Sequence, residues 1–466
     1  MKTLTRFLPA MGAALGLLLS AGPGQAFPDQ AARIDAQIRP NFGGLITPPM
    51  KPRWRPDRWR PGQYRWGKPR SNRRDWYPPR DQTVATVDCS YDDMGPTPIS
   101  DALQTLVDGG ILYIRSRGGI CRETVLIDHP VIIAGEAVPL FDAGPNPKPA
   151  TIAPFDGEPC IRVATGVKGV EIRDLVLTTE KGGRSACVEA WDAEVALVRT
   201  TVNYWGDSAA VFASGGRLIL QESVIDARTW DAAVVADGAV VDFTRTRITG
   251  EETGVDLTLA PGESRIEQTG VIFRGAAAPS GVGILVRGLR SGTGQLSVRN
   301  SVVCGWRNGM NLDRGAQVDV SRSRFCRNLV GLVSDGDLRL TESAIGAKDV
   351  GVYIASGRAT IQYNRFYDWS RTPIWVEAGA SADVDNNWAY YNGDCWRRQW
   401  EPGMYCQRSN ALPSSLRDES GFNNPYRNWW ESDGYDRGYS RDGAPRALPP
   451  PMPPAPPVKK GWGRRN

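Results

Sequence analysis

Hydrophobic and polar residues alternate in short runs along the middle of the chain, and the runs repeat. GVEIRDLVL (169–177), EVALVRTTVN (194–203), RLILQESVID (217–226), VVDFTRTRIT (240–249) and QLSVRNSVVC (295–304) share the pattern V-x-V-x-x-polar-x-hydrophobic. QVDVSRSRFC (317–326), LRLTESAIG (338–346) and ATIQYNRFYD (359–368) continue it. Alternation with a period of two predicts strands, not helices. A second alternating run follows each of these, for example AAVVADGA, GVDLTLAPG and GMNLDRGA, with glycines at its ends.

The polar mark inside the first run sets the spacing. It falls at Thr200, Ser223, Thr246, Thr269, Ser301, Ser323, Ser343, Asn364 and Asn387, at intervals of 20 to 23 residues with one longer step of 32. Two or three short strands in about 22 residues fit one coil of a parallel β-solenoid. Leucine-rich repeats have a similar length, but their leucine pattern is missing. Propeller blades need about 40 residues. The expected fold is therefore all-β, a right-handed parallel β-helix of roughly ten coils. An open solenoid end exposes strand edges and needs a cap. PISDALQTLVDGG (98–110) is expected to supply it as a short helix, with Ser100 as N-cap and Gly109 as its stop.

Composition divides the 466 residues into zones. Residues 1–26 have a cationic start, an apolar run, and Gly24 and Ala26 placed for cleavage before Phe27, the pattern of an export signal. Residues 27–83 form a basic segment rich in Pro, Arg and Trp, expected to be disordered; RWRPDRWRPGQYRW repeats an aromatic-Arg step every five residues. Residues 84–395 are the β-helix, 396–443 an irregular C-terminal cap, and 444–466 a Pro-rich basic tail. Lys51 to Arg80 carries eleven basic residues against two acidic ones, while the whole chain is only +5, so a basic arm is joined to a mildly acidic body. In an exported protein such an arm suits an anionic envelope surface, or serves as a solvated linker. Export argues against nucleic acid as its partner. Outside the first residues no apolar stretch is long enough to cross a membrane.

Eight cysteines in a chain with an export signal predict disulfides. Zinc is disfavoured, because there is no CxxC and only one His. Cys304 and Cys326 hold equivalent places one coil apart and are expected to bridge. Cys160–Cys187 and Cys395–Cys406 are the next expected pairs, which leaves Cys89–Cys121.

With its repeat, its capping helix and the phrase VLIDHPVIIAGE (125–136), the chain resembles the right-handed parallel β-helix superfamily, the pectate-lyase-like group, over about residues 86–395. The resemblance implies polysaccharide lyases, hydrolases and epimerases, and also tailspikes, adhesins and periplasmic assembly proteins. The Asp-Pro-His-Asp, Asn-Thr-Asp, Gly-His-Gly and Arg-Ile-Lys motifs of its enzymes are absent. His129 is accordingly assigned to a turn in the first coil.

Candidate chemistry comes from stacking. In the second strand, Val234, Val255, Ile284, Met310, Leu332, Val352 and Ile374 point inward. One outward row then reads Val235, Asp256, Leu285, Asn311, Val333, Tyr353, Trp375, and the next Asp237, Thr258, Arg287, Asp313, Asp335, Ala355, Glu377. Equivalent positions on neighbouring coils lie about 4.8 Å apart. Asp313 and Asp335 would be neighbours, and close like charges raise one pKa, as a general acid requires. Arg287 beside them could bind an anionic sugar or hold a carboxylate ionised. Asp256, Asn311, Tyr353, Trp375 and Glu377 complete a sugar-binding row. The same acids precede turn glycines, where Asp is ordinary turn chemistry, and a carboxylate row could also take Ca²⁺. Trp205, Trp306 and Trp369, five residues past the polar mark, and nearby Trp230 either close the coils or form a sugar platform. The expected function is polysaccharide binding in the envelope or outside the cell. The alternatives are a lyase or glycoside hydrolase using Asp313, Asp335 and Arg287, and a structural adhesin or assembly scaffold.

Overall fold

A computed structural model describes residues 80–89, 98–115, 120–136, 149–155, 157–179, 182–275, 280–288, 294–367, 372–391 and 404–408, with 390, 391 and 404–408 as backbone alone. Among these, thirteen strands from Gln82–Asp88 to Ser381–Asp385 stack in one sheet, and the remaining 22 form a second sheet of two parallel ladders joined through the long strands Arg324–Ser334 and Ala344–Ile354. The pairings within each stack are parallel, as between Glu194–Val198 and Arg217–Gln221. The fold is a parallel β-solenoid. Thirteen stacked strands exceed the roughly ten coils expected, because the first coils lack the polar mark. Leu175, fully buried, occupies the place that Thr200 takes one coil later.

The polar mark sits where the chain turns from the first sheet into the second. The residue before it is left-handed in each coil, for example Arg199 (φ 47°), Glu222 (52°), Glu342 (49°) and Tyr363 (60°). That turn removes the next amide from the strand ladder, and a side chain from the following coil satisfies it. Ser323 N–H donates to Ser343 Oγ at 3.1 Å, Ser343 N–H to Asn364 Oδ1 at 2.9 Å, and Asn364 N–H to Asn387 Oδ1 at 2.9 Å. Asn364 Nδ2 also donates to Leu340 O at 2.8 Å. All four residues are essentially buried. Replacing Asn364 with Leu orphans a buried N–H and a buried carbonyl, and is expected to lower stability by about 2 kcal/mol. Asn364→Ser, which restores the hydroxyl used by other coils, should recover part of it; chemical denaturation of both variants checks this.

Glycines form a second column. Gly254, Gly283, Gly309, Gly331 and Gly351 are aligned by the register of their neighbours. A Cβ on Gly309 would lie 2.5 Å from the carbonyl oxygen of Gly331, and one on Gly331 would lie 2.3 Å from that of Gly351. The coils approach here only because no side chain intervenes.

The helix is shorter than expected. It spans Pro98–Leu103 and buries Ile99 and Leu103, and the chain is already a strand by Leu106–Arg115. Pairing of Leu106 with Gln82 overrides the helical pattern beyond Leu103. Glu123, from another segment, takes the capping role assigned to Ser100. Its buried carboxylate accepts from Ile99 N–H at 2.7 Å and from Ser100 N–H at 3.2 Å. Burial raises the Glu123 pKa, and these donors oppose the rise.

Three expected disulfides are present: Cys89–Cys121, Cys160–Cys187 and Cys304–Cys326. The last joins equivalent residues of adjacent strands, with Cα atoms 4.6 Å apart. The Cys395–Cys406 pair lies outside the described side chains, as do Trp369 and nearly all of the two terminal zones. Among the described residues, no helix is long and apolar enough to cross a membrane.

Candidate functional site

The two outward rows stack as the alternation predicts. Val235, Asp256, Leu285, Asn311, Val333, Tyr353 and Trp375 are successive register partners. Asp237, Thr258 and Arg287 are partners in the second row. Asp313, Asp335 and Glu377 follow strand residues that are paired in the same order, Leu312, Ser334 and Val376. The first row also extends back through Phe212 and Glu189 to Arg162.

Within these rows the contacts differ from a simple Asp313–Asp335–Arg287 centre. Arg287 Nη1 donates to Asp256 Oδ1 at 2.5 Å, whereas Arg287 Nε is 3.9 Å from Asp313 Oδ2. Asp335 is engaged by Ser356, whose Oγ donates to Asp335 Oδ1 at 3.1 Å. Tyr353 presents no open face. It is buried against Val330, Val333 and Val350, and its hydroxyl donates to Glu377 Oε1 at 2.6 Å. Asn311 is buried with its Oδ1 unpartnered.

The charged centre lies nearer the N-terminus of the rows, around Asp256. A cleft there is lined by Ser208, Phe212, Asp231, Asp237, Asp256 and Arg287. Its apolar wall is Phe212, packed on Trp191 with ring centroids 4.8 Å apart, together with Ala209 and Val235. Asp231 comes from the short connection before strand Ala232–Asp237. Its own N–H donates to Thr229 Oγ1 at 3.0 Å, and its Oδ1 accepts from Ala232 N–H at 2.8 Å. Thr229 Oγ1 in turn donates to Ser208 O at 2.7 Å, tying this connection to the one in the preceding coil.

Burial pushes the Asp256 carboxyl up to about 6; Arg287 opposes the rise, and Asp231 and Asp313 add to it. Burial likewise raises Asp231 and Asp313, and Arg287 opposes both shifts. A carboxyl raised above its unfolded value binds protons more readily in the native state. It therefore removes stability as pH rises from about 4 through 6. Asp256→Asn is expected to gain on the parent by about 1–2 kcal/mol between pH 5 and 7.5, the gain being limited by the weakened Arg287 contact. Denaturation of both proteins at the two pH values measures it. A carboxyl perturbed by burial and a specific charged partner, in a cleft, marks Asp256 as a candidate site residue.

Asp231, Phe212 and Ser208 were not among the expected site residues. Phe212 is legible as the previous member of the row, from AAVFASGG. Asp231 and Ser208 lie in connections, where alternation carries no signal. The tryptophans separate. Trp306 is fully buried, whereas Trp205 is 43% and Trp230 80% exposed. Strand Thr201–Gly206 runs on past Trp205 and keeps it outward, with Arg228 5.2 Å from its ring centroid. Strand Val302–Cys304 stops at Gly305 (φ 86°), and Trp306 turns into the core. His129 lines none of the cleft; it is buried in the first coils, with Nδ1 2.7 Å from Asp128 Oδ1. Among the described residues, no group of three or more His, Cys, Asp or Glu is placed to hold a metal ion.

No family model matches the chain, and no curated protein sequence matches it. Distant likenesses exist among solved structures. The mannuronan C-5 epimerase A-module of Azotobacter vinelandii is 12% identical over 70% of this chain and 97% of that one, with a TM-score of 0.38. A tailspike protein of Acinetobacter baumannii bacteriophage Fri1, a capsular polysaccharide depolymerase, is 11% identical, with a TM-score of 0.36; it covers 66% of this chain and only 56% of the tailspike. A mannuronic acid specific polysaccharide family 6 lyase from human gut microbiota is 10% identical over 72% of this chain and 93% of that one, with a TM-score of 0.36. At these values the site must be read from its own geometry.

Proposed function

We propose that this protein binds a polysaccharide along the outer face formed by strands Val211–Ser214 to Val282–Arg287. The observation that carries the reading is the cleft itself. A buried carboxylate, a second carboxylate and an arginine converge beside an aromatic wall, on a face that repeats once per coil and so suits a linear polymer. The exposed rings of Trp205, in strand Thr201–Gly206, and Trp230, just past strand Val224–Thr229 of the next coil, offer flat apolar surface. The three disulfides suit an oxidising compartment, which supports export to the envelope or beyond. The basic N-terminal segment, in this reading, holds the protein at an anionic surface.

A second reading is favoured by the protonation of Asp256. A carboxyl near 6 beside another raised carboxyl can act as an acid toward a glycosidic oxygen. Cleavage of the bound polymer is then the activity.

The test incubates the full chain with a panel of neutral, acidic and amino-sugar polysaccharides, with and without Ca²⁺. Co-sedimentation and polymer size are followed together. Asp231→Asn keeps the oxygen that Ala232 N–H needs and is expected to weaken retention about tenfold. Asp319→Asn, on the thirteen-stranded sheet, is expected to leave it unchanged. A shortened polymer supports cleavage, and an intact retained one supports binding. Failure to retain any polymer contradicts the reading and leaves a scaffold, and retention equal in the two variants contradicts the placement of binding at this cleft.

A further inference from the structure

The cleft has an excess of negative charge. Three of its lining residues, Asp231, Asp237 and Asp256, are acids, and Arg287 is the basic one. That arginine is already committed. It donates to Asp256 at 2.5 Å and faces Asp313, of the next coil, at 3.9 Å. The alternative of an anionic sugar held by Arg287 is therefore disfavoured. A uronate would have to displace Asp256 from its partner and add another carboxylate beside a group that Asp231 and Asp313 already raise.

A neutral sugar would cover these carboxylates without compensating their burial. A bound metal ion is also disfavoured, because Ca²⁺ needs six to eight oxygens and no carboxylate group among the described residues is arranged to supply them. An alkyl-ammonium fits better. It is compact, brings three N–H donors and one positive charge, and is attached to a ring whose C–H face can lie on the Phe212 and Val235 side of the cleft.

We propose that the cleft recognises a hexosamine with a free 2-ammonium group within the polysaccharide chain, in preference to uronate or N-acetylated residues. This rests on the polysaccharide reading above. The groups facing Asp256 are Asp231 from the preceding connection, Asp237 from the adjacent strand, Arg287 from the next coil and Asp313 beyond it. Ionisation of Asp256 strengthens binding of a cation and weakens that of a uronate, so the two ligand classes have opposite pH dependence over the range in which the amine stays protonated.

The test is calorimetric titration of the full chain at pH 5 and pH 6. The ligands are hexamers of glucosamine and galactosamine, their N-acetylated counterparts, a galacturonate hexamer and hexalysine. A free-amine hexamer is expected to bind at least about tenfold tighter than its acetylated form, as one partly desolvated charge pair provides. Its affinity should rise from pH 5 to pH 6, where Asp256 ionises and the ring amine still holds its proton, and Asp256→Asn should remove both the preference and the rise. Tighter binding of the acetylated or galacturonate hexamer, weakened by Asp231→Asn, overturns the amino-sugar assignment while the polysaccharide reading stands. Binding of hexalysine as tight as the amino sugar overturns recognition of the sugar. Silence from all the sugars overturns both readings.

Discussion

Replacing Trp306 with alanine is expected to lower the unfolding free energy by about 3–5 kcal/mol, the range for removing a large buried aromatic side chain. Trp306 is fully buried and the largest such side chain among the described residues. Its Nε1–H donates to Val271 O at 3.1 Å, and its ring meets Phe273 edge-on at 5.3 Å between centroids. Its neighbours cannot refill the space. The indole lies against Gly254 and Gly283, where a Cβ would come within 3.1 and 2.9 Å of it, so the walls on that side have no side chain to rearrange. Trp306→Phe keeps a ring but loses the donor, and should forfeit about 1–2 kcal/mol. Trp205→Ala and Trp230→Ala, at exposed positions, should be close to neutral. Urea denaturation of the four variants decides. A loss below about 1 kcal/mol for Trp306→Ala would mean that the ring is not in the core.

Replacing Arg287 with alanine should destabilise the protein by about 3 kcal/mol at pH 8, and much less at pH 5. Breaking a buried ion pair leaves a buried charge unpaired, and the low end of the usual range applies because the Arg287 side chain is still 31% exposed. The pH dependence follows from sign. Arg287 lowers the Asp256 pKa, so its loss moves that carboxyl above its present value of about 6. The variant then binds a proton in the native state that the unfolded chain has released. Its stability falls as pH rises through that window, and is least impaired where Asp256 is protonated. Arg287→Ala combined with Asp256→Asn should recover most of the loss at pH 8, since the double variant has no stranded charge. Thermal or chemical denaturation of the set at both pH values tests this. A loss equal at pH 5 and pH 8 would assign the effect to packing of the arginine stem.

The repeat was the legible part of the fold. Buried polar residues about 22 positions apart announce a coil, and the rows from Val235 to Trp375 emerge in register because a period of two leaves only two faces. What escaped detection has physical causes. Most of the left-handed corners before the polar mark are occupied by Arg, Glu, Gln or Tyr, with Asn only at Asn300 and Asn386, so a turn signal marked few of them. The glycines of the second strands looked like punctuation, whereas Gly283, Gly309 and Gly331 stand inside the strands, where coils touch. Gly305 reverses the face of Trp306 relative to Trp205, although both lie five residues past the polar mark. In the candidate site, alternation located Asp256 and Arg287 on one surface. It did not reveal that they pair with each other, which depends on side-chain reach across one coil, nor that Asp231 folds in from a connection.

The most direct test of the account is hydrogen exchange on the full chain, with and without the polysaccharide it retains most strongly. Slowed exchange is expected in the connections holding Ser208 and Asp231, and in strands Ala232–Asp237, Thr253–Thr258 and Val282–Arg287. Protection confined to the thirteen-stranded sheet, as at Gln317–Ser321, or binding with no protection around Asp256, would contradict it.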